Sequence, residues 1–466
     1  MKIVLWDTRQ RHVTKDFAGG FGMGSYHGKG GFRGKLIRRW YTRDRRPVAL
    51  VLAYMAAVFR QLGHTVEYAE DRLPAGADAY VFNPSLPTID LELDAIRTVR
   101  RQSPSARVLV IGALAYAMPE QFADLGVTIV RGEPEQLLGK MDEALATGPD
   151  VIDVGSVRDL DSLPFPDWSP FAHRRFRVNY DFTRFPTGLI QQSRGCAFSC
   201  NYCPYILVEN RTRFRSPEAI VEEIVQGQAQ YGFRSFKFRD PLFGLNRRRM
   251  LELTERLARL PRRIQFSIET RIDLMDGDSL RALRDAGLTS ITVGIETPNE
   301  ATLRQYKRKP IDDDRQRQFI ETTRALGIRT AAGFMIGFPG DTAETIHDVL
   351  RYAKSLNPTF ANFNIVTPYP GTAFFTESAE NVSDVPWRDY DMYTPVMNYQ
   401  HLTRDQVHEL HAKCFTSYYS RWPYLLANAH LLWPSLQKLG VGRRGRLAAM
   451  NSDRGDSPDA AGARAA

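Results

Sequence analysis

The sequence predicts an α/β protein: a doubly wound, Rossmann-like N-terminal domain, then a partial (βα)6 barrel, then a C-terminal helical region. Three observations carry this expectation. From Pro47 to Ala146, short β-branched runs alternate with helical stretches at the spacing that builds a parallel sheet. The stretch Leu163-Pro164-Phe165-Pro166-Asp167-Trp168-Ser169-Pro170 then breaks the pattern, too proline-rich for helix or strand. Six further strand–helix units follow it, too few for a closed eight-fold barrel. A chain of 466 residues has room for two or three domains. The divisions fall at 1–46 (a basic, glycine-rich arm), 47–150 with the strand at 2–6, 151–185 (linker), 186–385, 386–450 and 451–466.

Composition narrows the class. Hydrophobic residues at 43% and charged residues at 25% are the balance of a globular protein. Met1 to Trp6 is apolar but Asp7 interrupts it, so a secretory signal is not expected. No apolar run reaches the length of a membrane span. Four cysteines, three of them clustered, argue against a disulfide framework and for a reducing, cytoplasmic setting. Residues 1–46 hold twelve Lys/Arg against three Asp/Glu and so carry the whole formal charge of +9. The rest of the chain is neutral, and a nucleic-acid partner is not expected.

In chain order, Lys2–Trp6 reads as a buried strand. Gly19 to Gly31 and the Arg-rich run to Arg46 suit a solvated arm or an anion-binding segment, not a Walker loop, since no Gly-Lys-Ser/Thr closes it. Val48–Leu62 is a helix ending at Gly63. Strands are expected at Thr65–Tyr68, Ala79–Phe82, Arg107–Ile111 and Val127–Val130, with helices near Asp90–Arg101, Pro119–Leu125 and Pro134–Ala146. Ligands of such a sheet lie beyond the carboxyl ends of its strands. Here those ends are Asn83, Pro84 and Ser85, then Gly112, Ala113 and Leu114, then Gly132 and Glu133.

The barrel strands are expected at Gly188–Gln192, Arg234–Arg239, Ile264–Ile268, Ser290–Ile295, Arg329–Ile336 and Phe360–Val366. Ser216 caps one intervening helix, with Pro217 in its first turn, and Asp341 with Glu344 reads as a capping pair for another. Barrel chemistry sits at the C-terminal strand ends, where Asp240, Glu269, Arg271, Glu296 and the Ile336-Gly337 backbone fall. Past Pro386 the chain turns helical. Thr403 and Gln406 form a capping box, and an apolar stripe places Cys414 in the core. Trp422 to Leu439 and the basic run Arg443–Arg446 suit packing at the barrel mouth, with membrane-surface contact as the alternative. Asn451–Ala466 reads as a disordered tail.

The stretch from Ser193 to Tyr205 holds Cys196, Cys200 and Cys203 in a C-x3-C-x2-C spacing. A closed zinc site needs four ligands and an iron–sulfur cluster is normally held by four cysteines. No further His or Cys lies nearby, so a cluster here leaves one iron open to a non-protein ligand. A zinc knuckle or three separate core thiols are the plainer alternatives.

With Tyr202 directly before the last cysteine, this motif resembles the radical S-adenosylmethionine (SAM) superfamily. The resemblance implies a [4Fe–4S] cluster whose open iron chelates SAM, and an electron transfer that cleaves SAM to a 5′-deoxyadenosyl radical. It further implies that Tyr202, Asp240, Glu269, Arg271, Glu296, Ile336 and Gly337 surround SAM, with Asp240 or Glu296 on its amino group or ribose, Arg271 on its carboxylate and the Ile336–Gly337 backbone on adenine. Thr367–Thr372 resembles a segment that closes such barrels. The α/β domain ahead of the core resembles the cobalamin-binding class, whose G-E-x-E is matched by Gly132-Glu133-Pro134-Glu135. Its corrin would lie over Asn83–Ser85, Gly112–Leu114 and Gly132–Glu133. The Asp-x-His-x-x-Gly signature of other cobalamin proteins is absent, which leaves the lower face of cobalt undefined. The implied function is cobalamin-dependent C-methylation of a small molecule or lipid, fed by a flavodoxin- or ferredoxin-like electron donor. Cyclisation, rearrangement or coupling with a cofactor-free N-terminal domain is the alternative. A tRNA methylthiotransferase would carry three cysteines in its N-terminal domain and a basic C-terminal β-barrel, and a metal-stapled binding module would not need the strand-end residues.

Overall fold

The computed structural model describes residues 1–8, 13–15, 21–41, 47–145, 151–207 and 211–428. Residues 1–418 form one compact unit and Tyr419–Ala466 a second. In the first unit, β1 (Lys2–Asp7), β2 (Thr65–Glu70), β3 (Ala79–Phe82), β4 (Arg107–Val110), β5 (Thr128–Gly132) and β6 (Val151–Gly155) make a parallel sheet in the order β2-β1-β3-β4-β5-β6. The order turns back at β1, so β1 and β3 flank the switch point where such sheets open a crevice. β6 corrects the division at residue 150. Val151-Ile-Asp-Val-Gly155 alternates exposed and buried residues, the period of an edge strand, and belongs to the sheet rather than the linker. The helix expected over Pro134–Ala146 is broken into a 3-10 segment, Pro134–Gly139, and a short helix, Met141–Leu145.

The second sheet starts with β7 (Thr187–Ile190). A short antiparallel pair follows, β8 (Ser193–Arg194) with β9 (Arg213–Phe214). Then come β10 (Ser235–Phe238), β11 (Gln265–Thr270), β12 (Leu288–Glu296), β13 (Arg329–Ile336) and β14 (Phe360–Ile365). The parallel order β7-β10-β11-β12-β13-β14 follows the chain, as a partial (βα)6 barrel requires. Its crossover helices are amphipathic and capped: Gly277–Ala286 buries Leu280, Leu283 and Ala286, and Asp276 accepts the Ser279 N–H. One capping expectation is corrected. Thr342 and Thr345 cap each other, while Asp341 accepts the N–H groups of Gly337 and Phe338. Register places Lys237 beside Ser267, Glu269 beside Thr292, and Gly294, Gly333 and Asn362 in one row. One face of the sheet is therefore polar, while Phe236, Phe266, Ile268 and Val293 pack on the other.

Within the N-terminal arm, the stretch from Phe21 to Tyr26 is packed against the protein rather than solvated. Phe21 is fully buried against Tyr369, with ring centroids 5.2 Å apart, and its carbonyl accepts the Leu86 N–H. Gly24 donates to the Asp391 carbonyl at 2.9 Å, and Tyr26 stacks on Phe415 at 4.3 Å. A Cβ on Gly24 would lie 2.8 Å from Asp391 Oδ2, so glycine serves close packing there. The segment straps the N-terminal sheet to the chain beyond the barrel. Gly19, Gly20, Arg43–Arg46 and the tail at 451–466 lie outside the described residues.

The two sheets are joined by a buried ionic latch. Glu133, just past β5, accepts Arg213 Nη1 and Nη2 at 2.8 and 2.7 Å and the Val157 N–H at 2.7 Å. Glu135 accepts Arg194 Nη2 at 2.7 Å. Arg194 and Arg213 sit on β8 and β9, the two strands that frame the cysteine loop. Burial pushes the Glu133 carboxyl up, but the hydrogen bonds and charge of Arg213 and Arg194 hold it below the ordinary range.

Two outcomes follow from this packing. Glu133→Ala strands a guanidinium, Arg213, only 9% exposed, and should cost about 3–5 kcal/mol in urea unfolding. Adding Arg213→Met should recover much of the loss, and a purely additive double variant would contradict the latch. His411, 1% exposed beneath Tyr26, hydrogen-bonds the Phe363 carbonyl through Nε2, and burial lowers its pKa to about 3. The unfolded chain then takes up a proton that the native one refuses between pH 6.5 and about 3, so stability falls as pH drops below 6.5. His411→Gln should flatten the pH dependence of unfolding between about pH 6 and 5 by up to ~1.4 kcal/mol per pH unit; an unchanged slope would contradict the burial.

Candidate active site

The cysteine loop leaves β8 and returns at β9, with partners at several points. Asp240, fully buried after β10, accepts the Gln192 N–H at 3.1 Å, the Ser193 N–H, and the Ser193 hydroxyl at 2.6 Å. Asn201 donates its side-chain amide to Glu377 at 2.7 Å, and its carbonyl accepts the Phe374 N–H. The Arg271 guanidinium lies 4.4 Å over the Phe198 ring. The Cys196 sulfur accepts the Phe198 N–H at 3.4 Å, and the charge of Arg308 favours the thiolates of Cys196 and Cys203. Burial pushes the Cys203 thiol up to about 12, so a thiolate there needs a cation beside it. Among the described residues no three His, Cys, Asp or Glu side chains group as ligands of a single metal ion. Cys414 lies apart, 1% exposed on the helix Arg404–Tyr419. Cys196, Cys200 and Cys203 share this one loop.

Beside the loop, β12 ends in a register shift between Gly294 and Glu296, and Glu296 has φ +70°. Its carboxylate meets Arg308 at 3.1 Å. Burial raises its pKa, opposed by Arg308 and Arg271. Arg271 is clamped by Asp273, with Nε and Nη2 each 3.0 Å from a carboxylate oxygen, while its buried Nη1 has no partner. The buried hydroxyl of Tyr202 is also unpartnered. These groups bring charges of both signs together beside the cysteine loop, as a zwitterionic ligand would require. Arg308 escapes sequence reading, because Lys307-Arg308-Lys309-Pro310 looks like a solvated basic turn and only the fold turns its middle residue inward.

Other expected SAM contacts are used inside the protein. Both Asp240 oxygens face the backbone at 192–193, so it positions the loop instead of meeting a ligand; burial pushes its carboxyl up to about 7. The Gly337 N–H is given to Asp341, and the Ile336 carbonyl accepts the Val366 N–H. Glu269 remains on the polar face, accepting Arg239 at 2.5 Å with Lys237 at 3.6 Å.

A cavity open to solvent joins the carboxyl ends of both sheets. Asn83, Gly112, Ala113, Gly132 and Glu133 line it from the N-terminal domain, with Tyr54 and Tyr116; Gln191, Arg194, Tyr205 and Arg239 line it from the barrel. Ser85 and Leu114 do not: Ser85 is buried against Thr88 and Glu92, and Leu114 is core. Pro84 is likewise not among the lining residues. Lys15 reaches this cavity from the N-terminal segment, paired with Asp7 at 2.5 Å and with Glu92; no sequence motif marked it. His27 is engaged elsewhere, 3.0 Å from Asp391, and His12 lies outside the described residues. Ala49, Leu50 and Val51 give the cavity an apolar wall beneath a charged rim.

Residues 190–353 match the radical SAM superfamily. An uncharacterized methyltransferase of Pyrococcus horikoshii is 27% identical over 313 residues, covering 63% of this chain and 67% of that protein. An anaerobic magnesium-protoporphyrin IX monomethyl ester cyclase of Cereibacter sphaeroides is 27% identical, covering 60% of this chain. A hopanoid C-3 methylase of Methylococcus capsulatus is 24% identical, covering 74% of this chain and 70% of that protein. The chain spans about half the length of the cyclase. Among solved structures, the cobalamin-dependent radical SAM enzyme OxsB with aqua-cobalamin and SAM bound superimposes with TM-score 0.62 at 14% identity, covering 88% of this chain and 65% of that one. The radical SAM methyltransferase TsrM of Kitasatospora setae, with cobalamin and a [4Fe–4S] cluster, gives 0.58 at 15% identity, covering 89% and 85%. Among the described residues no helix is long and apolar enough to cross a membrane. Residues 190–353 are thus a radical SAM domain, and the chain shares its two-domain fold with OxsB and TsrM.

Proposed function

We propose that this enzyme transfers a methyl group to a carbon centre of a small molecule or lipid, using SAM and cobalamin. The observation that carries the reading is the cavity shared by the two sheets: its walls come from the strand ends of both domains, and Gln191, Arg194 and Gly195 lead from it directly into the cysteine loop. When bound, the cluster supplies an electron to SAM and cobalamin a transferable methyl group. The protein's part is positional. Cys196, Cys200 and Cys203 would hold the cluster. Glu296, Arg308, the free Nη1 of Arg271 and the Tyr202 hydroxyl would grip the amino acid end of SAM, each in a setting dry enough to strengthen charge-assisted contacts. A Cβ on Gly112 would meet Asn83 Oδ1 and one on Gly132 the Gly155 carbonyl, so both glycines serve the packing of the cavity wall, where the rings of Tyr54 and Tyr116 would exclude water from a ligand. An external low-potential electron donor, flavodoxin- or ferredoxin-like, is part of the proposal. The relatives' names, a hopanoid methylase and a magnesium-protoporphyrin ester cyclase, favour a large, mostly apolar substrate.

Anaerobically reconstituted protein should carry one corrin by its absorption band and about four irons per chain, the irons surviving Cys414→Ala and lost in Cys200→Ala. Its cobalt(II) EPR should lack nitrogen superhyperfine coupling from a protein imidazole. Given SAM with a deuterated methyl group and extracts of the source cells, it should deliver the label to carbon. Deoxyadenosine formation with no label transfer and no corrin would replace methylation by a cyclisation or rearrangement.

Glu296→Ala and Arg308→Ala each remove a charge-assisted contact and should weaken SAM binding by about 1.5–3 kcal/mol, roughly tenfold to over a hundredfold, in calorimetric titration of the clustered protein. Unaltered affinity in both would place SAM elsewhere.

A further inference from the structure

The helix Gly31–Tyr41 plays no part in the latch, the cysteine loop or the cavity. One side of it is seated: Gly34 and Ile37 are buried, and a Cβ on Gly34 would lie 2.0 Å from the Lys29 carbonyl. The other side carries two large apolar side chains one turn apart in the open, Phe32 at 82% exposure and Leu36 at 44%. Helical spacing puts Lys35 three residues from Phe32, and Arg39 three from Leu36 and four from Lys35, so these cations share the apolar side, with Arg33 flanking it. All three are exposed. Residues 17–43 hold six Lys/Arg and no Asp or Glu, so the segment itself brings no counter-charge. Phe32 alone would be an ordinary exposed apolar residue. Phe32 and Leu36 bordered by Lys35, Arg39 and Arg33 are the constellation of a helix lying in a lipid interface, apolar residues below the headgroups and cations among them.

We propose that this helix docks the enzyme on an anionic lipid surface. The charge balance selects the occupant: a second copy of the same cationic face would repel, and a neutral apolar partner would leave Lys35 and Arg39 without anions. The second compact unit, described by itself, repeats the pattern on a smaller scale: Trp422 and Leu426 are four residues apart, 76% and 74% exposed, beside Arg421. The inference does not depend on which reaction the enzyme catalyses, although a surface-bound enzyme suits an apolar substrate drawn from that surface.

The test is sedimentation of the full chain with phosphatidylcholine vesicles, with and without phosphatidylglycerol. Binding is expected only with the anionic lipid, weakening as salt rises. Each cation near such a surface is worth roughly fivefold in partition, so Lys35→Glu with Arg39→Glu should lower binding by at least about 25-fold. Phe32→Ser with Leu36→Ser should also release the protein, without moving its thermal transition, since both side chains are already solvated. Binding equal in all variants, or none to either vesicle, overturns the proposal. Loss of binding to an oligonucleotide on charge reversal, with no vesicle binding by the wild type, would assign the helix to nucleic acid instead.

Discussion

The geometry of the site depends on charges placed where water is scarce. Glu133 and Glu135 reach from the N-terminal sheet to Arg213 and Arg194, which stand on the two strands framing the cysteine loop. Two apolar surfaces could bind as tightly, since desolvating ions costs nearly what their attraction returns. They would not fix an angle. A guanidinium forked onto a carboxylate does, because two parallel N–H···O bonds leave little freedom to rotate. The latch therefore sets how the strand ends of one sheet face the cysteine loop beside the other, and with that the shape of the cavity between them.

The strap of residues 21–30 closes the arrangement from the far side. Phe21 bonds the chain near Leu86 and packs on Tyr369; Tyr26 lies on Phe415 above His411. A segment that reads as loose from its glycines is thus part of the core, and those glycines serve close backbone approach.

Sequence reading reached the elements whose signals are local. Strand β13 falls where its β-branched and apolar run predicts, the helix Arg404–Tyr419 begins at its Thr403–Gln406 box, and the two-sheet order follows from strand–helix alternation. What it could not reach depends on distant partners. Asp240 and Glu296 look equivalent as acidic residues after barrel strands, yet one is wholly engaged with the backbone at 192–193 and the other faces Arg308. Glu133 reads as a cofactor contact because it ends a strand, and only its two arginine partners show that its carboxylate is engaged. Lys15 and Arg308 sit in basic stretches whose composition suggests solvent. β6 was hidden by length, five residues with a single alternation, just past an expected boundary.

The end of β12 shows how such placement is built. A residue other than glycine at φ +70° stores strain, of order 1–3 kcal/mol, that neighbouring structure must hold. Here the strain turns Glu296 back over its own strand, where a Cβ on Gly294 would come within 2.3 Å of its Oε1. The Gly-x-Glu sequence is therefore one unit: the missing side chain makes room for the carboxylate. Arg308 fills the space beside it, bonding the Gly294 carbonyl at 2.7 Å, and its charge favours the thiolates of Cys196 and Cys203. A single arginine thus couples the strained strand end to the cysteine loop. A ligand that engages Glu296 must perturb Arg308, and through it the charge felt at those sulfurs. The barrel strand and the cysteine loop are in this way electrostatically one site, although more than ninety residues separate Cys200 from Glu296 in the chain.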